Sequence, residues 1–285
     1  MKKKSTKKLS KGKKVKVVDK LPQVEIGIFG GSGFYSLFEK TKEIKIKTKY
    51  GWPSDRISIG EIAGRKVAFL PRHGKRHQFA PQSINYQANV LAFKMLGITQ
   101  VLGPCAAGSL QPHIQPGDFV ICDQFIDRTK RRNETYYPGP KTVHIGMAEP
   151  YCPRLRELAI KCCKDLTIPV HEKGEVVVIE GPRFSTRAES FWYQKSGFEV
   201  INMTQYPEVA LARELEMCYV NISLITDYDA GLIGQKNIKP VDARAVVKIF
   251  EKNISRVKEL IYEMIKKMPK ERKCECGRAL SAAVV

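Results

Sequence analysis

Short apolar runs bounded by glycine, proline and acidic residues alternate along the chain with longer segments whose apolar positions recur at helical spacing. The runs 23–29, 57–62, 66–70, 98–103, 119–126, 175–180 and 219–226 predict strands, and 57–62 with 66–70 predict a hairpin across Ala63-Gly64-Arg65. Segment 84–96 places Ile84, Ala88, Leu91, Ala92 and Met95 on one helical face and is closed by Gly97. Segment 153–166 predicts a second helix, and Thr186 with Glu189 forms a capping-box pattern. Asp242 is placed to cap a long helix reaching residue 268, with Val246, Ile249, Phe250, Val257, Leu260, Ile261 and Met264 on its apolar face. The stretch 200–214, VINMTQYPEVALARE, combines all these signals. Ile201 ends an apolar run, and Asn202, Thr204 and Tyr206 follow as polar positions. Pro207 suits the first helical position, and Glu208 sits in a first turn that favours an acid. Strand and helix signals alternate throughout, so the expected architecture is a single α/β domain with a central mixed sheet flanked by helices.

At 285 residues and 43% hydrophobic content the chain is long enough to bury a full core. No apolar run approaches bilayer length, and no apolar segment follows the basic start, so a cytoplasmic protein is expected. Net charge is +20, of which residues 1–20, with ten lysines against Asp19 alone, supply +9. Such a start is disordered by composition. It serves either as a solubilising tail or as a contact for polyanions, and the second use defines a rival reading of the whole protein as a polyanion binder. The eight cysteines, Cys105, Cys122, Cys152, Cys162, Cys163, Cys218, Cys274 and Cys276, include no CxxC pair and no Cys/His array of zinc spacing, which argues against a structural metal. Cys274-Glu275-Cys276 suggests redox chemistry or coincidence.

Candidate chemistry sits where predicted strands end. Gly30-Gly31-Ser32-Gly33 lacks the third glycine of a dinucleotide fingerprint. It fits either a phosphate cradle with the Ser32 hydroxyl as donor or a plain tight turn. Arg72 and His73 follow the second hairpin strand and offer a planar fork and a switchable donor for an oxyanion. Segment 104–109, holding Cys105 and Ala106, is expected to be a small-residue loop, and 129–141 a mobile or interface loop. Thr204 and Asp227 complete the set. In open α/β folds such positions share one edge of the sheet, where ligands bind. Hydroxyls, an Arg, a His and free backbone N–H groups together suit a phosphate, which points to a phosphate-using transferase without naming its second substrate.

The segments GIFGGSGF (27–34), PRHG (71–74), INYQAN (84–89), IQPGDFVICDQFIDRT (114–129), MAEPYCP (147–153), IEGPRFSTRAES (179–190), INMTQYPEVALARE (201–214) and TDYD (226–229) resemble, in order, the trimeric purine nucleoside phosphorylases, most closely the branch acting on 5′-methylthioadenosine. The resemblance runs from about residue 24 to 268. It implies a purine and uridine phosphorylase-like fold over 21–268, between the Lys-rich tail 1–20 and a C-terminal tail 269–285 with its Cys-x-Cys. The implied reaction is phosphorolysis of 5′-methylthioadenosine to adenine and 5-methylthioribose-1-phosphate, serving methionine salvage and purine recycling. A 6-oxopurine or methylthioinosine phosphorylase is the alternative on the same scaffold.

By that resemblance, phosphate lies against Ser32, Arg72, His73, the backbone near Cys105 and Ala106, and Thr204. Met203 meets the ribose and Phe184 the base, with Ser185 nearby. Asp227 reads the purine and steadies its departure, assisted by Asp229; the other assignment for Asp227 is a helix cap or ion-pair acid. Val241 and His144 line the 5′ pocket, His144 from a neighbouring subunit, although each also fits an ordinary core or loop position. Two departures from the family pattern stand out. Cys105 replaces a common hydroxyl residue, and Ala230-Gly231-Leu232 follows TDYD where many methylthioadenosine-specific members carry a bulky aromatic residue. No metal or organic cofactor is implied, only inorganic phosphate as co-substrate. The implied assembly is a homotrimer or dimer of trimers with no role for membrane or nucleic acid. For a thermophilic source the resemblance also implies disulfides, Cys152 with Cys218, and Cys274 with Cys276 paired or linking subunits.

Overall fold

A computed structural model describes residues 21–38, 41–232, 238, 241–281 and 283, so the Lys-rich tail 1–20 lies outside the described residues. Strand β1 (Ile26–Gly30) is buried along its whole length and lies parallel to both β4 (Arg65–Pro71) and β5 (Gln100–Ser109). The expected hairpin forms from β3 (Ile57–Ile62) and β4, and the short β2 (Lys42–Ile44) extends its edge. Beyond β5 come β10 (Val200–Asn202), β9 (Glu175–Ile179) and β7 (Gln124–Arg128). Strand β11 (Cys218–Asp227) also pairs with β5 and leads to β6 (Phe119–Val120) and β8 (Val170–His171). The result is one mixed sheet of 11 strands, carrying α1 (Tyr86–Met95), α2 (Pro153–Asp165), α3 (Arg187–Lys195), α4 (Gln205–Glu214) and α5 (Ala243–Lys267).

The spine is β5. It runs parallel to β11 from Cys218↔Gln100 to Asp227↔Gly108, while β10 joins its far end antiparallel at Val200↔Ser109. Both β5 and β11 are covered on both faces, so they read as continuous apolar runs rather than alternating ones. This is why the expectation of a loop at 104–109 fails: those small residues are the second half of a central strand. The expected strand 119–126 instead divides into β6 and β7, which join different parts of the sheet.

Helix starts follow their capping residues. The Asn85 side chain accepts from Ala88 N at 3.1 Å, the Thr186/Glu189 capping box is complete, and Asp242 Oδ1 accepts from Arg244 N at 2.9 Å and Ala245 N at 3.0 Å. In α4 the backbone at Tyr206 is extended (φ −105°, ψ 135°), so regular helix begins at Pro207 as expected. Glu208, however, is not a free first-turn acid. It is fully buried and forks onto Arg72, with Oε2 accepting from Nε at 3.0 Å and Oε1 from Nη2 at 2.7 Å. Arg72 Nη1 donates to Pro104 O at 2.9 Å, and the Tyr219 hydroxyl donates to Glu208 Oε1 at 2.6 Å. The end of β4, the start of α4, β5 and β11 thus meet around one ion pair.

The sulfurs of Cys152 and Cys218, and those of Cys274 and Cys276, are not bonded to one another in this structure. Among the described residues no helix is long and apolar enough to cross a membrane. Removing one partner of a buried pair strands the other charge. Glu208→Ala is therefore expected to cost about 3–5 kcal/mol in urea unfolding; a loss below ~1 kcal/mol would mean that Arg72 is satisfied without it.

Candidate active site

Where β1, β5, β10 and β11 end, with the turn after β4 and the first turns of α5, they enclose a cavity of about 520 Å³. Its size is that of a small-molecule site. Ser32, His73, Cys105, Ala106, Phe184, Met203, Thr204, Asp227 and Asp229 all line it, so nine residues drawn from six stretches of sequence come together.

The loop after β1 is shaped by two glycines. Gly33 has φ +79°, and a Cβ there would lie 2.8 Å from the Phe250 ring on α5. A Cβ on Gly31 would lie 3.1 Å from Arg72 Nη1 and 3.2 Å from Pro104 O. Bare backbone therefore separates the cavity from the guanidinium. Arg72 is 1% exposed and does not line the cavity itself. Burial works against its charge, but the Glu208 carboxylate outweighs that effect and keeps it protonated. Thr204 caps no backbone N–H of α4, which leaves its hydroxyl for a ligand.

Two side chains of the expected set do not present a donor to the cavity. The Cys105 thiol turns inward, taking bonds from Asn202 Nδ2 at 3.4 Å and Asn221 Nδ2 at 3.3 Å, so only its backbone is left to face a ligand. His73 is not a switchable donor. Burial, with the neighbouring His77 and Arg72, pushes it down to about 3, and a backbone bond to Phe79 offsets this only in part. Its Nδ1 lies 2.9 Å from Phe79 O. A carbonyl only accepts, so the proton sits on Nδ1 and Nε2 is left as an acceptor. His77 stacks on His73 with ring centroids 4.4 Å apart, and its Nδ1 lies 3.0 Å from the Tyr35 hydroxyl.

The acids sit at the end of β11. Asp227 Oδ1 accepts from Asp229 N at 2.7 Å and Oδ2 from the Thr226 hydroxyl at 2.7 Å, which fixes the carboxylate's direction. Burial raises Asp227, and these two bonds only moderate the rise. Asp229, at φ +49°, is likewise raised by burial. Ser185 and Ser190 stand close enough to temper that rise. Even so, Asp229 Oδ2 and Ser185 Oγ are both buried without a hydrogen-bond partner among the described residues. An acceptor left unsatisfied at a cavity wall is a place for a ligand's N–H.

Ser185, Val241 and His144 do not line the cavity. Val241 donates its N–H to Asp229 O, and His144 is exposed, its N–H bonded to Ala283 O at 2.8 Å. Sequence reasoning missed Tyr35, Ile179, Ile201, Ala243 and Val247, and it assigned Val246 only to the core. Apolar periodicity marks a buried face without distinguishing protein from ligand as its cover.

The chain belongs to the phosphorylase superfamily, whose family model matches residues 25–266. It is 51% identical to the S-methyl-5′-thioadenosine phosphorylase of Thermofilum pendens, over 93% of this chain and 100% of that one. It is 45% identical to the purine nucleoside phosphorylase of Streptomyces coelicolor, over 90% of this chain and 95% of that one. A methylthioadenosine phosphorylase from Schistosoma mansoni, solved in complex with adenine, superposes with a TM-score of 0.85 at 37% identity, covering 91% of this chain and 97% of the other.

The His73 environment has a consequence for stability. Its folded value of about 3 lies below the ordinary 6.5, so between these limits the unfolded chain binds a proton that the folded one refuses. The His73 contribution is complete above pH 6.5 and is lost as pH falls towards 3. Urea unfolding at pH 7 and pH 5 should show a smaller acid loss in His73→Gln than in the parent; equal losses would mean His73 titrates normally.

Proposed function

We propose that the protein catalyses the phosphate-dependent cleavage of 5′-methylthioadenosine to adenine and 5-methylthioribose-1-phosphate. The observation that carries this reading is the spacing along β5. Gly31 closes on Cys105 and Arg72 on the neighbouring Pro104, whereas Asp227 pairs with Gly108. Three residues of strand, roughly 10 Å, separate an anion-binding group from a pair of carboxylates, with room between them for one pentose.

Phosphate rests against the Ser32 and Thr204 hydroxyls and the backbone at Ala106. The Arg72 charge stands behind Gly31 and acts on the anion across that backbone. His73 Nε2 accepts the phosphate's own O–H, so the attacking oxygen is one of the unprotonated ones. That oxygen bonds to C1′ as the C1′–N9 bond breaks, and the electron pair leaves with the purine. The anion both attacks and stabilises the developing oxocarbenium charge. Asp227, raised by burial, holds a proton at N7 of the departing base. Asp227 also accepts from the 6-amino group, and Asp229 Oδ2, lacking a partner, assists it there. Met203 faces the ribose and Phe184 the base, while Ala243, Val246 and Val247 give the cavity an apolar part suited to a methylthio group. No metal or organic cofactor enters these steps.

The active unit is read as a homo-oligomer, supported by exposed aromatic surface at Trp52, Phe191, Trp192 and Tyr262.

Rates on 5′-methylthioadenosine, adenosine and inosine, each with and without phosphate, test the reading. Methylthioadenosine should be fastest and turnover should require phosphate; a clear preference for inosine would make it a 6-oxopurine phosphorylase instead. Asp227→Asn is expected to lose about 10²–10⁴-fold on 6-aminopurine nucleosides and much less on 6-oxo ones, because an amide donates where the carboxylate only accepts. Equal losses on both would remove Asp227 from base recognition.

A further inference from the structure

Away from the cavity, at the opposite end of β11, four sulfurs converge. Cys152 stands at the N-cap of α2, Cys218 opens β11, and Cys274 and Cys276 lie at the short 3-10 turn Glu275–Arg278. All four sulfurs lie within 4.8 Å of one another. Cys274 Sγ is 3.8 Å from Cys152 Sγ and 3.4 Å from Cys218 Sγ. Sulfurs on a tetrahedral zinc, each about 2.3 Å from the metal, would stand about 3.8 Å apart along each edge.

The surroundings ask for negative charge. Arg154 Nη2 lies 4.0 Å from Cys218 Sγ, and its Nε and Nη1 are buried with no hydrogen-bond partner among the described residues. Four neutral thiols offer these donors only weak acceptors, whereas thiolates accept them strongly. The Cys152 sulfur stands at the N-cap of α2 and caps no backbone N–H there.

We propose that Cys152, Cys218, Cys274 and Cys276 bind one structural zinc ion. Binding releases four protons, one from each thiol. It leaves a tetrathiolate centre of net charge −2, which Arg154 partly offsets through N–H···S contacts. Four protein ligands close the coordination sphere, so the ion has no open position for substrate. Its role is to staple the segment after α5 to the start of β11 and the head of α2. Strand β11 spans roughly 30 Å at about 3.3 Å per residue, which keeps the ion far from Asp227.

The test uses the full chain, purified under reducing conditions without chelator. Elemental analysis should find about one zinc per chain in the parent and almost none in a variant carrying Cys274→Ser and Cys276→Ser. Cobalt added to metal-stripped parent protein should produce thiolate-to-cobalt charge-transfer bands and tetrahedral d–d bands. That measurement decides the question even if the double variant fails to fold. Metal-free parent protein that binds neither zinc nor cobalt, with all eight thiols reactive after denaturation, would overturn the proposal. So would fewer than eight reactive thiols in non-reduced, denatured protein, because the sulfurs would then be paired as disulfides.

Discussion

The Arg72–Glu208 ion pair is the constraint around which the rest of the structure is arranged. A guanidinium 1% exposed is tolerable only with its charge matched, and Glu208 does this in a ring completed by Pro104, which accepts from Arg72, and Tyr219, which donates to Glu208. That ring ties the turn after β4, the head of α4, β5 and β11 to one point. It also explains Gly31, since the backbone there must pass within contact distance of Nη1. Of the five N–H groups that an arginine offers, three are used by these partners. A positive charge held rigidly behind a thin backbone wall acts on an anion at low reorganisation cost.

Around that charge the titratable groups are pushed in different directions. Arg72 is locked as a cation, His73 is held neutral with its proton directed away from the cavity, and Asp227 and Asp229 are raised by burial. Environments that drive protonation states apart separate the roles of charge stabiliser, hydrogen-bond acceptor and proton holder within one small site. None of these states follows from residue type alone. His73 owes its acceptor face to the Phe79 carbonyl, and Asp227 owes its fixed direction to Thr226 and to its own neighbour Asp229.

Local signals in the sequence carried the elements well. Thr186 and Asp242 start helices where their side chains predict, and the hairpin of β3 and β4 forms across its predicted turn. Nine of the expected site residues share the cavity because all but Cys105 and Ala106, which lie within β5, follow or end a strand in a sheet whose edge gathers them. What escaped was non-local. Glu208 and Arg72 are 136 positions apart, so the acid looked like a helix-dipole residue. Pro104 and its small neighbours looked like a loop because a strand buried on both faces shows no alternation. The four clustered cysteines arise from three distant segments, and no linear spacing announces their meeting. Val246 and Val247 carry a helical apolar pattern that is the same whether protein or ligand covers it.

The central claim is that one cleft holds an anion against the Arg72 wall and a purine against the β11 carboxylates. Crystals of the full chain grown with sulfate and adenine test it most directly. The account predicts tetrahedral density within hydrogen-bonding distance of Ser32 and Thr204, and a planar ring with its N7 and amino edge on Asp227 and Asp229, both in the same cavity. Sulfate bound elsewhere, or adenine stacked away from Asp227, would contradict it.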